Sequence, residues 1–384
     1  MVSDQSVQSL RDLNCVEIFV FPALLIRLSV LRICATCCGF PERKMKSELE
    51  PEIEMYVFID ESGTFTIPQD GGISPCIVGA LIVPEFKMGQ ICKKYRPIRQ
   101  NLPKDKGEVK GRLLSEPQVA KVVDVLRRNS CIYAALLIEM SIEDRDEVEG
   151  HRKRTAEGLT ENLTDEHQPE LVESVWEHRA ELEAMALPLY VQYTLMSELL
   201  AHVIREVPVY WAQRRMQEIL NFHWVVDGKG EAETTKSEDW WRTMKAGMLQ
   251  SRLAQKPMLA LEGIDYAAFD NKFRMPMPDY LKESILPYDE GLDLKLLLNE
   301  SFNFSSGADF GLELVDIVTN ATRRALKGNL AESGWSGIPR LMIHTRDHYL
   351  QCRSISKSAS PSGLAYGKLV TRDFASGGRI MLTR

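Results

Sequence analysis

The sequence predicts an α/β fold, and three observations carry that expectation. Short apolar runs of strand length recur along the chain, and two of them, 55–59 and 222–226, end in aspartate with glycine close behind. Stretches with apolar residues at helical spacing lie between the runs. One long, strongly charged stretch, 141–207, has helical character and reads as an insertion between the third and fourth strands. With 384 residues, 44% apolar and 26% charged, the chain can bury a substantial core, and disorder along its whole length is excluded.

Residues 1–54 are expected to be a poorly packed extension. The run 16–40 is apolar, but Glu17, Pro22, Arg27 and Arg32 interrupt it. A membrane span needs ~20 apolar residues, and two arginines near its centre cost several kcal/mol. A signal peptide carries its positive charges before the apolar run, not within it. Met45 and Met55 both precede the first convincing strand, so residues 1–44 read as an extension from a start site placed upstream of the true one; a membrane-associated helix is the alternative. No stable membrane span is expected, and the compartment implied is the cytoplasm. Of the eight cysteines, Cys15, Cys34, Cys37 and Cys38 fall in the first 40 residues, and Cys76, Cys92, Cys131 and Cys352 are scattered. Free thiols of a reducing compartment fit this pattern better than disulfides. Cys34, Cys37 and Cys38 lack a second cluster at zinc spacing.

The first strand, 55–59, ends at Asp60, Glu61, Ser62 and Gly63, and a loop rich in Gly, Pro and Asp follows. Residues 76–83 form a second strand ending at Pro84. Residues 86–102 contain a helix expected to break near Pro97. Val119, Val122, Val123 and Leu126 make the stripe of an amphipathic helix over 117–128. Residues 131–140 are the third strand. The insertion 141–207 is charged in its first half, which is expected to project from the core. Its second half carries Leu189, Tyr193, Met196, Leu200 and Val203 at helical spacing. The fourth strand, 222–226, ends at Asp227, Gly228, Lys229 and Gly230. A helix over 237–252, a fifth strand over 257–263, an edge strand over 301–304 and a well-defined helix over 311–327 follow. After Gly328 periodicity fades, and 331–384 reads as a loosely ordered tail.

The net charge of −7 conceals a division. Residues 139–183 hold fifteen acids and five bases, a net of −10 that leaves the remainder at +3. The acidic sum therefore does not argue against a nucleic-acid partner. Residues 93–112 hold eight bases and two acids. Lys93, Lys94, Arg96 and Arg99 in that stretch would suit a phosphodiester backbone, with a solvated basic loop as the plain alternative.

Asp60 and Asp227 end apolar strands, where a buried backbone can hold a carboxylate rigidly toward the crevice at the strands' carboxyl ends. Aspartate also starts turns, and each residue alone carries that simpler reading. Asp316 rests on a different argument. Leu312, Leu314, Val315, Ile317 and Val318 nearly encircle its helix, yet Glu313, Asp316 and Asn320 share one stripe. An ionised aspartate on a largely buried helix needs a partner or a metal. Arg323 and Arg324 are candidate salt-bridge partners.

Four segments together carry a resemblance. The strand Y-V-F-I-D-E-S-G-T, the segment E-V-K-G, the strand V-V-D-G-K and the helix G-L-E-L-V-D-I-V resemble, in order and approximate spacing from Met55 to Lys327, the mostly bacterial family known as domain of unknown function 3800. Glu313 stands where that family usually has glutamine, and Val315 where it has alanine. The family is similar in element order to the ribonuclease H-like superfamily. The resemblance implies a ribonuclease H-like domain over 55–330, a mixed sheet flanked by helices with the helical insertion 141–207. It implies that Asp60, Asp227 and Asp316 face a metal and form the catalytic set with Glu108, a possible fourth ligand. Lys110 would contact phosphate or orient a carboxylate, and Lys229 of the V-V-D-G-K segment would support the site. Glu61 follows Asp60 on an extended strand, so it points to the opposite face and supports the turn. The extra carboxylate at Glu313 could alter local charge and metal preference.

Converging carboxylates call for cations, and oxygen-only ligands select Mg²⁺ or Mn²⁺ over zinc. Two such ions can activate water and stabilise the leaving oxygen of a phosphodiester. The expected function is therefore a metal-dependent nuclease or phosphoryl-transfer enzyme acting on nucleic acid. The alternative is a non-catalytic binding or regulatory module, with the insertion docking a protein partner. The sequence has no P-loop, dinucleotide-binding, nucleophile-elbow or H-E-x-x-H motif, and His344 and His348 read as surface residues.

Overall fold

A computed structural model describes residues 54–161, 163–164, 167–214, 221–230, 234–255, 264, 266–276, 290–299, 302–305, 309–344, 350–360, 366, 370, 372–374 and 378–382. Six strands form one mixed sheet: β1 (Glu54–Ser62), β2 (Pro75–Pro84), β3 (Ile132–Glu139), β4 (Asn221–Asp227), β5 (Phe302–Ser305) and β6 (Gln351–Arg353), in the order β6-β3-β2-β1-β4-β5. β2 is antiparallel to β1 and β3; β4 runs parallel to β1, β5 to β4, and β6 to β3. Every residue of β2 and β3 is buried, which is why these strands read as continuous apolar runs rather than alternating ones.

Seven helices of eight residues or more flank the sheet among the described residues. Phe58, Ile77, Leu81 and Tyr133 on one face pack against α1 (Glu85–Gln100), α2 (Glu116–Arg128) and a late helix. Met55, Val57, Ile59, Val78 and Trp224 on the other pack against α3 (Arg145–Thr160), α4 (Pro169–Ala184), α5 (Leu187–Ala212) and α6 (Lys236–Gln255). The late helix is α7 (Phe310–Leu326), started by Asp309, whose side chain accepts from the Gly311 N–H at 2.6 Å. It lies close over the sheet at Gly79, where a Cβ would stand 2.2 Å from Thr319 Oγ1. No helix among the described residues is long and apolar enough to cross a membrane.

Several expectations need correction. The helix over Pro97 does not break: α1 continues to Gln100, because the proline sits in its last turns and buried Ile91 and Tyr95 hold the helix to the core. The charged stretch 141–207 is helical but does not project. Val148, Ala156, Leu171 and Val175 of α3 and α4 join the core, and α5 lies on the sheet with Val191, Leu199, Leu200 and Val203 fully buried. Nor is 331–384 merely a loose tail. It supplies β6, and Trp335, Ile338 and Leu341 are buried. Its turn after β6 is held by Glu143, which accepts from the Ser356 N–H at 2.8 Å. Short strands with little periodicity hid this contribution. The expected edge strand is β5, four residues long. The expected strand 257–263 and all of the expected extension 1–54 but Glu54, which opens β1, lie outside the described residues. Cys76, Cys92, Cys131 and Cys352 are free thiols.

Candidate acidic site

β1 and β4 lie side by side and parallel, with Ile59 paired to Val226, which sets Asp60 beside Asp227 at the carboxyl ends of both strands. Val57, Ile59, Trp224 and Val226 point into the core under α5 and α6, so alternation turns Asp60 and Asp227 to the opposite face. That face is covered by α7, which brings Asp316. The structure therefore brings together three aspartates from distant parts of the sequence.

Their electrostatics are those of a crowded acidic site. Asp60 is only 6% exposed, and its Oδ1 accepts from the Glu61 N–H at 2.7 Å. Burial pushes its carboxyl well above the usual range, Asp316 and Asp227 push it further, and Lys229 and Lys110 pull it down. Burial likewise raises Asp227 to about 6; Lys110 opposes this, and Asp316, Glu108 and Glu238 add to it. Asp316 is raised by burial, against the Gly111 N–H that it accepts at 2.7 Å and against Lys110. Lys110 is thus the cation common to all three aspartates. It also pairs with Glu108 at 2.7 Å, which places both residues of the E-V-K-G segment at the site.

The carboxylates of Asp227 and Asp316 act on Asp60, and that of Asp316 acts on Asp227. Among the described residues no group of three or more His, Cys, Asp or Glu side chains is arranged to hold a metal ion. The donor set is nevertheless all oxygen and short of positive charge, which suits a hard divalent cation. Lys229 forms an ion pair with Glu61 and so ties the turn after β4 to the end of β1.

One expectation about α7 fails. Glu313, expected to support the site, has partners of its own. It is 5% exposed and accepts from Tyr95 Oη at 3.2 Å, Arg99 Nε at 2.6 Å and the Val109 N–H at 3.0 Å. Arg323 and Arg324 do not pair with Asp316. Arg323 Nε donates to the Pro75 carbonyl at 2.9 Å, and Arg324 Nη1 to those of Gly111 and Leu114 at 3.2 and 2.7 Å. The salt-bridge explanation of Asp316 thereby loses both its partners. Asn320, on the same stripe, donates from Nδ2 to Ser62 Oγ at 3.3 Å.

The basic stretch divides. Lys93, Lys94 and Arg96 are exposed on α1, but Arg99 is committed to Glu313 and is not a free contact for phosphate. Lys104–Asp105 and Glu108–Val109 pair as a hairpin whose two central residues, Lys106 and Gly107, have φ of 51° and 89°. Two positive φ angles are the mark of a type I′ turn, which explains glycine there. Beyond the hairpin Gly111 lies against α7: a Cβ would stand 2.8 Å from Ile317 Cα and 2.9 Å from the Asp316 carbonyl oxygen. Gly111→Ala is expected to lower stability by roughly 1–3 kcal/mol, since a main-chain neighbour cannot move aside. Urea denaturation at neutral pH checks this.

One residue of the site's surroundings escaped sequence reading. Glu238, 2% exposed, accepts from the Lys229 N–H at 2.7 Å and from the Thr235 N–H at 2.6 Å, while Thr235 Oγ1 accepts from the Glu238 N–H at 3.3 Å. This reciprocal pair is a capping box at the start of α6, and T-x-x-E ahead of a helical stretch was the available signal. It orders the turn that follows Asp227.

Comparison with protein-family models, with curated proteins and with solved structures finds no match to the chain, so the resemblance drawn from the four motifs stands on those motifs alone.

Proposed function

We propose that the site formed by Asp60, Asp227 and Asp316 binds Mg²⁺ or Mn²⁺ and serves cleavage or transfer at phosphodiesters of nucleic acid. The observation that carries this reading is the crowding of one buried and two half-buried carboxylates that repel one another, only partly compensated by the ammonium groups of Lys110 and Lys229. Acids at the ends of the first and fourth strands and on a late helix also support a ribonuclease H-like reading of the mixed sheet, which rests on this arrangement and on the motif resemblance. The three aspartates would hold the ion, which when bound supplies an activated water and a counter-charge for the leaving oxygen. Glu108, paired with Lys110, would orient it, and Lys110 would contact a phosphate oxygen or orient a carboxylate. Asp316 keeps the loop at Gly111 against α7.

A non-catalytic binding or regulatory module is the second reading, and the lack of a preformed three-carboxylate group among the described residues fits it. An assay with labelled single- and double-stranded DNA and RNA separates the readings. Cleavage should require Mg²⁺ or Mn²⁺, stop with chelator, and fall about a hundredfold or more in Asp227→Asn. Binding without cleavage of all four substrates would establish the module instead.

A further inference from the structure

We infer that Glu313 is a positioning residue, which sets Lys110 and Glu108 over the aspartates by clamping the hairpin that carries them; the catalytic part of this inference rests on the function proposed above. Glu313 is a buried carboxylate whose charge is met by Arg99 and by the groups it holds. Arg99 grips it through Nε and Nη2, at 2.6 and 2.5 Å, and the same Nη2 donates to the Gly107 carbonyl at 3.0 Å. Glu313 Oε1 accepts from the Val109 N–H, and Tyr95 Oη donates to Oε2. The hairpin's second strand and its turn are therefore tied to one carboxylate, the strand directly and the turn through Arg99.

The consequence falls on the next residues. Val109 is 1% exposed, and Lys110 has extended backbone, φ −109° and ψ 127°. In an extended segment alternate side chains point to opposite sides, so burying Val109 turns Glu108 and Lys110 together to the other side, where they pair with each other. The Gly111 N–H, two residues beyond Val109, is received by Asp316. Two amides of one extended segment thus meet two carboxylates three residues apart on one face of α7. Removing the first anchor leaves the Gly111 amide as the segment's remaining tie to an α7 carboxylate among the described contacts.

Hydrogen exchange of the full chain, with trypsin accessibility at Lys104 and Lys106, tests the clamp without reference to metal or activity. In Glu313→Ala, peptides covering 104–111 should exchange about tenfold faster or more, the effect of losing a charge-assisted hydrogen bond, while β1 and β2 stay protected. Glu313→Gln keeps an acceptor for Val109 and should restore most of that protection. Single-turnover cleavage should slow about tenfold in Glu313→Ala with little change in substrate affinity, and recover in Glu313→Gln. Hairpin exchange equal to wild type in both variants would overturn the clamp. A loosened hairpin with unchanged cleavage per folded molecule would overturn the positioning role. Should Glu313→Ala unfold, the milder Glu313→Gln decides, a hairpin-confined increase supporting the clamp and none overturning it. Absence of cleavage in the wild type would count against the proposed function, while the exchange result would still decide the clamp.

Discussion

Asp60→Asn is expected to raise the melting temperature of the cation-free protein at neutral pH, which is unusual for a change at a residue 6% exposed. The ionised carboxyl is opposed first by burial and then by Asp316 and Asp227, while Lys229 and Lys110 offset only part of this. An amide of the same shape removes the repulsion, and Lys229 keeps Glu61 as its partner. The same charges set the pH dependence. A carboxyl whose folded value lies above its unfolded value binds its proton more tightly when folded, so stability is greatest below the unfolded value and falls as pH rises through the folded one. For Asp227, raised from the ordinary ~3.9 to about 6, the full loss is on the order of 3 kcal/mol, falling between about pH 4 and pH 6. Asp60 and Asp316 are displaced in the same direction and add to it. Melts in chelator across that interval should show wild-type stability declining with pH and Asp60→Asn declining less. A variant less stable than wild type at neutral pH would mean that the carboxylate is satisfied by its neighbours.

The sheet was legible because buried strands write themselves as unbroken apolar runs: 55–59, 76–83, 131–140 and 222–226 all appear as strands at or near those positions. The site aspartates were legible as strand-end residues and as the acid on an otherwise apolar helix. What sequence could not show was the use of each neighbouring charge. Glu313, Arg99, Arg323 and Arg324 are ordinary charged residues in the sequence, and only tertiary packing decides that Glu313 takes Arg99 while both later arginines bind carbonyls. Periodicity failed at β6, three residues long, because so short a strand draws its stability from β3 rather than from its own pattern. Pro97 misled for a related reason, since burial of one helix face outweighs a single lost backbone hydrogen bond.

Asp316→Asn is expected to abolish the Mn²⁺ response of the wild type. Asp316 adds to the repulsion at both Asp60 and Asp227, and its own carboxyl is raised by burial. A cation bound only by the folded state stabilises it by about 2.7 kcal/mol when present at about a hundred times its dissociation constant. The asparagine retains an oxygen for the Gly111 N–H, so the loop should stay in place while the charge that draws the ion is lost.

Thermal melts of the wild type and Asp316→Asn, each with chelator and with Mn²⁺, therefore test the metal site most directly. The wild type should gain several degrees with Mn²⁺, and Asp316→Asn should gain none while being at least as stable as wild type in chelator. No gain in the wild type, together with a clear loss of stability in Asp316→Asn, would show that the aspartate is a structural residue and contradict the metal site.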